Sequence, residues 1–265
     1  MMKGLEGKVA LITGGGKGIG RGIALALAAR GVRVVVTGRD ERALGETVGE
    51  IAYGGGKARH LAGDVRDASH VSAAVERAIE VFGGLDIVIA SAGQSGPVDL
   101  GADLARADAI LSTNLLGTYQ TFDAAARRMK GPGRLVATAA CSVIGGGGQA
   151  AVRASRAGVV ALVREAALEL APRKITCNAV VPGWVDSDAS ERRLAQLAEL
   201  AAASAHPGTK TKDEVRAEAV AAFPLGRFLQ PEEVAELVVF LCSSASDGIT
   251  GQAIAIGAGP LVPGA

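Results

Sequence analysis

Aromatic side chains are scarce in this chain, with five Phe, two Tyr and one Trp among 265 residues. Any chemistry that needs a phenol must therefore use Tyr53 or Tyr119. Histidine is also rare, limited to His60, His70 and His206. The three cysteines, Cys141, Cys177 and Cys242, are odd in number, far apart and without a CxxC pair. That excludes a disulfide framework or a zinc site and reads as reduced thiols in a cytoplasmic protein. An excess of either charge is missing too: 28 Lys plus Arg face 27 Asp plus Glu, for a net +1. Without a basic run, nucleic acid and anionic membrane are excluded as main partners. Long apolar runs are absent as well. The opening MMKGLEGKVALITGGG is too short in its apolar part for a signal peptide, and Ile23 to Ala29, between Arg21 and Arg30, cannot span a bilayer.

What the chain does have is hydrophobic bulk, 49% of its residues, enough for one large domain or two small ones. Short β-branched runs alternate with Ala-rich helical stretches, the pattern of a parallel sheet covered on both faces. Strands are expected at Val9–Thr13, Arg33–Thr37, Ala58–Leu61, Ile87–Ala90, Arg134–Thr138, Ile175–Val180 and Ala253–Ile256. Helices are expected at Ile19–Ala29, Glu41–Ile51, Ala68–Phe82, Leu104–Met129, Ala151–Leu170 and Pro231–Leu241. The Ala151–Leu170 stretch carries Val159, Val160, Leu162 and Val163 in one run, so it wants cover on more than one face. No linker or composition shift splits off a second unit, so residues 1–265 are read as one doubly wound α/β domain. From Ser187 to Phe223 the rhythm breaks into two charged helical pieces around His206-Pro207-Gly208. An insertion this long reads as a lid over a ligand site, with a structural helix pair as the plain alternative.

Thr13-Gly14-Gly15-Gly16-Lys17-Gly18-Ile19-Gly20 follows the first strand and opens the first helix. Glycines there let the backbone approach a pyrophosphate, whose charge meets the N–H groups and dipole of the helix start. In this strand–turn–helix setting the segment reads as a dinucleotide site. The end of the second strand selects the dinucleotide. An NAD site places a carboxylate there to accept from the ribose 2′-hydroxyl. Here Gly38 precedes Arg39, and a guanidinium suits a 2′-phosphate. Lys17 adds a second cation, while Asp40 is expected to N-cap the helix from Glu41. NADP(H) is therefore favoured over NAD(H).

These motifs, with others in order, make the chain resemble the short-chain dehydrogenase/reductase family over essentially its whole length. The further matches are Asp64-Val65, Ser91-Ala92-Gly93 (Ser where the family has Asn), Asn114 in Thr-Asn-Leu-Leu-Gly-Thr, Pro182-Gly183 with Val185 just beyond, and Thr250-Gly251-Gln252. The resemblance implies a single Rossmann-type domain, a small-molecule substrate, and dimers or tetramers formed through the helices near 104–129 and 151–170. It also implies that Gly14, Gly16, Lys17, Gly18, Ile19, Gly20, Arg39, Asp64, Val65, Ala92, Gly93, Asn114, Arg156, Pro182, Gly183 and Val185 hold the cofactor, with Asp64 and Val65 against the adenine.

The family's chemistry rests on Asn, Ser and a Tyr-x-x-x-Lys pair. Asn114 matches, and Ser142 follows the fifth strand where the serine belongs. Gly148-Gln149-Ala150-Ala151-Val152-Arg153-Ala154-Ser155-Arg156-Ala157-Gly158 then places Val152 at the Tyr position and Arg156 at the Lys position. The intervening segment is about three residues short and runs as glycine from Gly145 to Gly148. Val152 cannot transfer a proton. Arg156 can still bond a ribose and offer charge to an oxyanion, but guanidinium is no relay base. Tyr119 reads as core or interface, Tyr53 lies far from the site, Ser155 as helix packing, and Cys177 and Cys242 as inert core. Cys141, beside Ser142, reads as packing or as a thiol entering the pocket.

The candidate catalytic set is therefore Ser142, Asn114 and Arg156. The favoured function is an atypical NADP(H)-dependent oxidoreductase acting on a conjugated enoyl compound, or on a ketone whose own acidic hydroxyl supplies the proton. The alternative is a catalytically silent subunit that binds nucleotide and supports an active relative in a hetero-oligomer. A third reading is a non-redox lyase or dehalogenase on the same fold. No metal is expected.

Overall fold

Seven short runs, most of them rich in β-branched residues, build one parallel sheet: β1 Val9–Thr13, β2 Arg33–Gly38, β3 Ala58–Ala62, β4 Ile87–Ala90, β5 Gly133–Thr138, β6 Ile175–Pro182 and β7 Ala253–Ile256. They lie in the order β3-β2-β1-β4-β5-β6-β7, each pair parallel. The computed structural model describes residues 3–96, 98, 101, 103–139, 150–203, 210–221 and 223–257. Helices α1 Gly18–Ala28, α2 Glu41–Tyr53, α3 Ala68–Phe82, α4 Leu104–Leu111, α5 Gly117–Arg128, α6 Ala150–Leu170, α7 Asp188–Ala203, α8 Lys212–Ala221 and α9 Pro231–Cys242 connect them.

Strand alternation sorts the core into two layers. Ala10, Ile12, Val34 and Val36 point to one face, where Ile23 and Leu27 of α1 and Val234 and Val238 of α9 cover them. Val9, Leu11, Val35 and Val88 point to the other, under Val75 of α3, Phe122 of α5 and Val159 and Val163 of α6. Cys177 and Cys242 are free thiols inside these two layers, and burial pushes both up to about 12. Neither can form a thiolate near neutral pH. No helix among the described residues is long and apolar enough to cross a membrane.

Aspartates start the helices where the sequence places them. Asp40, Asp67 and Asp103 accept from the backbone N–H groups of Ala43, Ser69 and Arg106. Such caps contribute about 1 kcal/mol each. The helix expected over 104–129 is not continuous: between α4 and α5 the backbone widens into a π-helical turn, Ser112–Leu116. Nor is α6 apolar all round. Val152, Ser155, Val159, Val163, Ala167 and Leu170 form one buried face, while Arg153, Arg164, Glu165 and Glu169 are exposed.

The break in rhythm after Ser187 is a separate helical cap, α7 and α8, with a small core of its own. Trp184 and Phe228 lie 5.2 Å apart between ring centroids, and Phe223 meets Phe228 edge-on at 5.7 Å. Leu194 and Ala219 pack against them. Arg216 of α8 ties the pair together, bonding Asp186 at 3.1 Å, pairing with Glu191, and lying over the Phe228 ring.

Candidate functional site

The strand order reverses beside β1, because the chain leaves towards β2 and β3 and returns to β4 on the other side. A crevice opens at such a switch point, beyond the C-terminal ends of β1 and β4. The turn after β1 and the loop after β4 meet there. Thr13 Oγ1 accepts from the backbone N–H groups of both Ser91 and Ala92 at 3.2 Å. Gly14, at φ +70°, passes so close that a Cβ would sit 2.8 Å from the Ala92 backbone. α1 starts from Lys17 with no side-chain cap, so its first N–H groups stay open to an anion.

The crevice has two lobes. One, of about 740 Å³, runs past Gly18, Ile19, Gly20, Ser91, Gly93, Thr138, Arg156 and Pro182. The other, of about 850 Å³, is walled by Gly38, Arg39, Asp64, Val65 and Thr113. Gly14, Gly16, Lys17, Ala92 and Gly93 line both. Most of the residues expected at the cofactor thus meet around one cleft. Gly183 and Val185 do not line it: Gly183 N donates to Ile256 O at 2.8 Å, and Val185 is buried in the core. Ser142, Cys141, the Gly145–Gly148 run and His206 lie outside the described residues.

Charge is unevenly spent along the second lobe. Lys17 Nζ pairs with Asp40 Oδ2 at 2.6 Å, which holds Asp40 below the usual carboxylate range. Asp64 is engaged by Arg66 at 2.7 Å and its carboxyl is lowered by that bond. Arg39 makes no hydrogen bond or ion pair with a described residue.

In the first lobe Asn114 is fully buried within the π-helical turn, behind the wall of the cleft. Its Oδ1 accepts from Gln94 N at 2.7 Å, and its Nδ2 donates to Gln94 O and to Ser155 Oγ, each at 3.0 Å. Ser155 is the helix-packing residue that the spacing predicts, and it spends its own hydroxyl proton on Val152 O. Val152 packs with Val98 and Ile110 in an apolar patch. Arg156 sends Nη1 to Thr138 O at 2.6 Å, while a Cβ on Gly93 would lie 2.6 Å from its Nη2. Its Nε is buried without a partner, and burial pushes the guanidinium down to about 10, still a cation at neutral pH. No tyrosine, histidine or cysteine among the described residues lines either lobe. Tyr53 and Tyr119 stand exposed elsewhere, and His70 bonds Thr37 Oγ1 at 2.6 Å behind β2.

Several lining residues escaped the sequence reading, among them Gln94, Asp188 and Arg192, the last in a charged neighbourhood that reads as a solvated face. Nothing in a run of mixed charge says which member turns towards a cleft.

Comparison with known proteins agrees with this geometry. A family model described as enoyl-(acyl carrier protein) reductase matches residues 14–260. The chain belongs to the short-chain dehydrogenase/reductase family. It is 34% identical over 254 residues to the short-chain reductase protein NovJ of Streptomyces niveus, covering 95% of this chain and 93% of that one. An actinorhodin polyketide ketoreductase variant with NADPH superposes with a TM-score of 0.86 at 30% identity, over 95% of this chain and 96% of that one. A short-chain dehydrogenase of Burkholderia cenocepacia in complex with NADP gives 0.83 at 30%, over 96% and 98%. The short-chain dehydrogenases and reductases are NAD(P)-dependent oxidoreductases, and this chain is one of them by family, fold and cleft.

Proposed function

We propose that the chain is an NADP(H)-preferring reductase that works without the family's tyrosine acid, on a conjugated enoyl compound or on a carbonyl compound carrying its own acidic hydroxyl. One observation carries the reading. Arg156 keeps a half-buried guanidinium beside Gly93 with no carboxylate of a described residue to neutralise it, while Val152 turns into an apolar patch.

The glycine turn and the cations fit a dinucleotide: Gly14 and Gly20 leave no room for a Cβ, and Lys17 and Arg39 stand where phosphate charge would lie. When bound, the nicotinamide supplies the hydride. Lys17, Arg39, Asp64 and Val65 would hold the adenosine end, with Gly16, Gly18 and Ile19 at the phosphates. Ala92, Gly93 and Pro182 would hold the nicotinamide end, with Gly183 and Val185 supporting the wall behind them. Arg156 and Ser142 stabilise negative charge on the substrate oxygen, an effect worth about 10²–10³ in rate for one well-placed donor. Asn114 acts through its neighbours, clamping the Gln94 backbone and Ser155 so that the loop after β4 keeps its shape. α7 and α8 serve as the lid. Leu111, Leu116, Tyr119 and Leu168, exposed on α4 to α6 and the turn between them, support assembly into dimers or tetramers.

Cofactor choice rests on Arg39. NADPH is expected to bind at least tenfold tighter than NADH in calorimetric titration, about 1.4 kcal/mol, and Arg39→Ala should remove most of that gap. Equal affinities in the parent protein would refute the preference.

The absence of Tyr, His and Cys from the described lining favours a second reading, a catalytically silent subunit that binds nucleotide beside an active partner. NADPH consumption against a panel of ketones, quinones and enoyl thioesters separates the two. The reductase reading expects turnover by the purified chain, and expects Val152→Tyr with Arg156→Lys to give no gain on that substrate. The silent reading expects no turnover on any panel member, and at most weak ketone reduction by the double variant.

A further inference from the structure

The cap contributes Asp188, Ala189 and Arg192 of α7 to the first lobe of the cleft. Arg192 reaches furthest. It comes from the first turns of α7 and lines both lobes, and it is the one residue of the 187–223 segment to reach the Arg39 lobe among the described residues. The residues that share this double position with it include Gly14, Gly16 and Lys17, on the turn across the cleft. Arg192 therefore faces the junction of the two lobes.

Its charge is not spent within the cap. Glu191, the adjacent carboxylate, is taken by Lys212 at 2.8 Å and by Arg216, and Asp186 is taken by Arg216. Arg192 itself makes no hydrogen bond or ion pair with a described residue, although it is exposed and flanked by charge of both signs. Nor is α7 loosely hung. The Arg216 bracket, the Trp184–Phe228 contact and the bridge between Val185 and Leu229 fix its base to the sheet. A cap anchored at its base thus carries a guanidinium, unpaired among the described residues, that lines both lobes of the cleft.

We propose that Arg192 is a clamp for the pyrophosphate of the bound dinucleotide, closing from the cap side against the glycine turn. The inference rests on the dinucleotide reading of the cleft. The pyrophosphate is the part of such a ligand that joins its two nucleotide halves, and so the part that belongs where the two lobes meet. A planar guanidinium meets paired phosphate oxygens with parallel, charge-assisted hydrogen bonds, which a lysine cannot reproduce. Arg39 and Arg192 then divide the work: Arg39 tells NADPH from NADH, whereas Arg192 holds what both share. Because Arg192 sits on α7, the same contact links occupancy of the cleft to the position of the cap.

The test compares the full-length parent with Arg192→Gln and Arg192→Lys, titrated by calorimetry with NADPH, NADH and adenosine 2′-monophosphate, which has no pyrophosphate. Arg192→Gln is expected to weaken NADPH and NADH by the same factor, about tenfold or more, and to leave adenosine 2′-monophosphate unchanged. Arg192→Lys should recover only part of the loss. Hydrogen exchange gives a readout independent of affinity: saturating NADPH should protect amides of residues 188–203 in the parent and protect them less in Arg192→Gln. Unchanged affinity in Arg192→Gln would overturn the clamp, and so would a loss confined to NADPH, which would place Arg192 at the 2′-phosphate. A parent that binds neither dinucleotide, by contrast, would overturn the nucleotide reading itself.

Discussion

Arg156→Met should lower reductase turnover by about 10²–10³, or ~3–4 kcal/mol of transition-state stabilisation, while leaving the thermal midpoint unchanged or higher. The two halves of this expectation have one origin. Arg156 keeps a single hydrogen bond to a described residue, to Thr138 O, and leaves its Nε buried and unpartnered. Desolvation lowers its pKa to about 10, below the value of an unfolded arginine. A cationic group with a lowered folded pKa costs stability wherever it is protonated, here at every pH below about 10, and the cost fades only above that. Methionine fills similar length without a charge to desolvate or a donor to leave unpartnered, so it removes that cost at the loss of one hydrogen bond. A residue kept at a stability cost in the wall of a cleft is best explained by what it does to a ligand. Calorimetric melting together with NADPH consumption on the panel substrate that turns over would check both halves. A clear fall in midpoint with unchanged turnover would make Arg156 a structural residue.

Sheet and helices were legible because each rests on local rules. β1 and β4 are apolar runs buried on both faces, and their ends fall where the sequence puts them, at Val9–Thr13 and Ile87–Ala90. Asp40 could be read as a cap from its place before Glu41 alone. The π-helical turn was not legible, because its cause is distant. Asn114 must reach the backbone of Gln94, twenty positions away along the chain, and Thr113 Oγ1 accepts from the Gln94 side chain. Periodicity carries no trace of that requirement. Lys17 shows the same limit in charge: counted from sequence it is a free cation, yet folding brings it onto Asp40. That Arg39 and Arg192 make no ion pair with a described residue emerges only once ion pairs are assigned in space. The cap followed the same pattern, with its helices visible as charged stretches but its aromatic core hidden, since Trp184 and Phe228 meet only after the chain has passed through both helices.

The strictest requirement in the cleft is steric, and Gly20→Ala should expose it. A Cβ at Gly20 would lie 2.2 Å from Gly14 O and 2.8 Å from Gly14 C, backbone atoms that cannot rotate away. Gly14 cannot retreat easily either. Its N–H donates to Thr37 O at 2.8 Å, and Ala92 closes the other side. The methyl group must therefore pull the turn open, at a folding cost of about 1–3 kcal/mol typical of overpacking. The same movement misplaces the N–H groups meant for phosphate. NADPH and NADH should both bind at least about 100-fold more weakly, ~2.7 kcal/mol, with their ratio preserved. That preserved ratio distinguishes this variant from Arg39→Ala, which should change the ratio. Gly18 provides the internal control. It has a positive φ of 52°, but no atom lies within 4 Å of a Cβ built there. Gly18→Ala should thus carry only the left-handed backbone penalty of about 1–2 kcal/mol. Titration of both variants, with circular dichroism to verify folding, should rank Gly20→Ala well below Gly18→Ala in affinity. The reverse order would mean that backbone conformation, not the close approach of Gly20 to Gly14, shapes the phosphate turn.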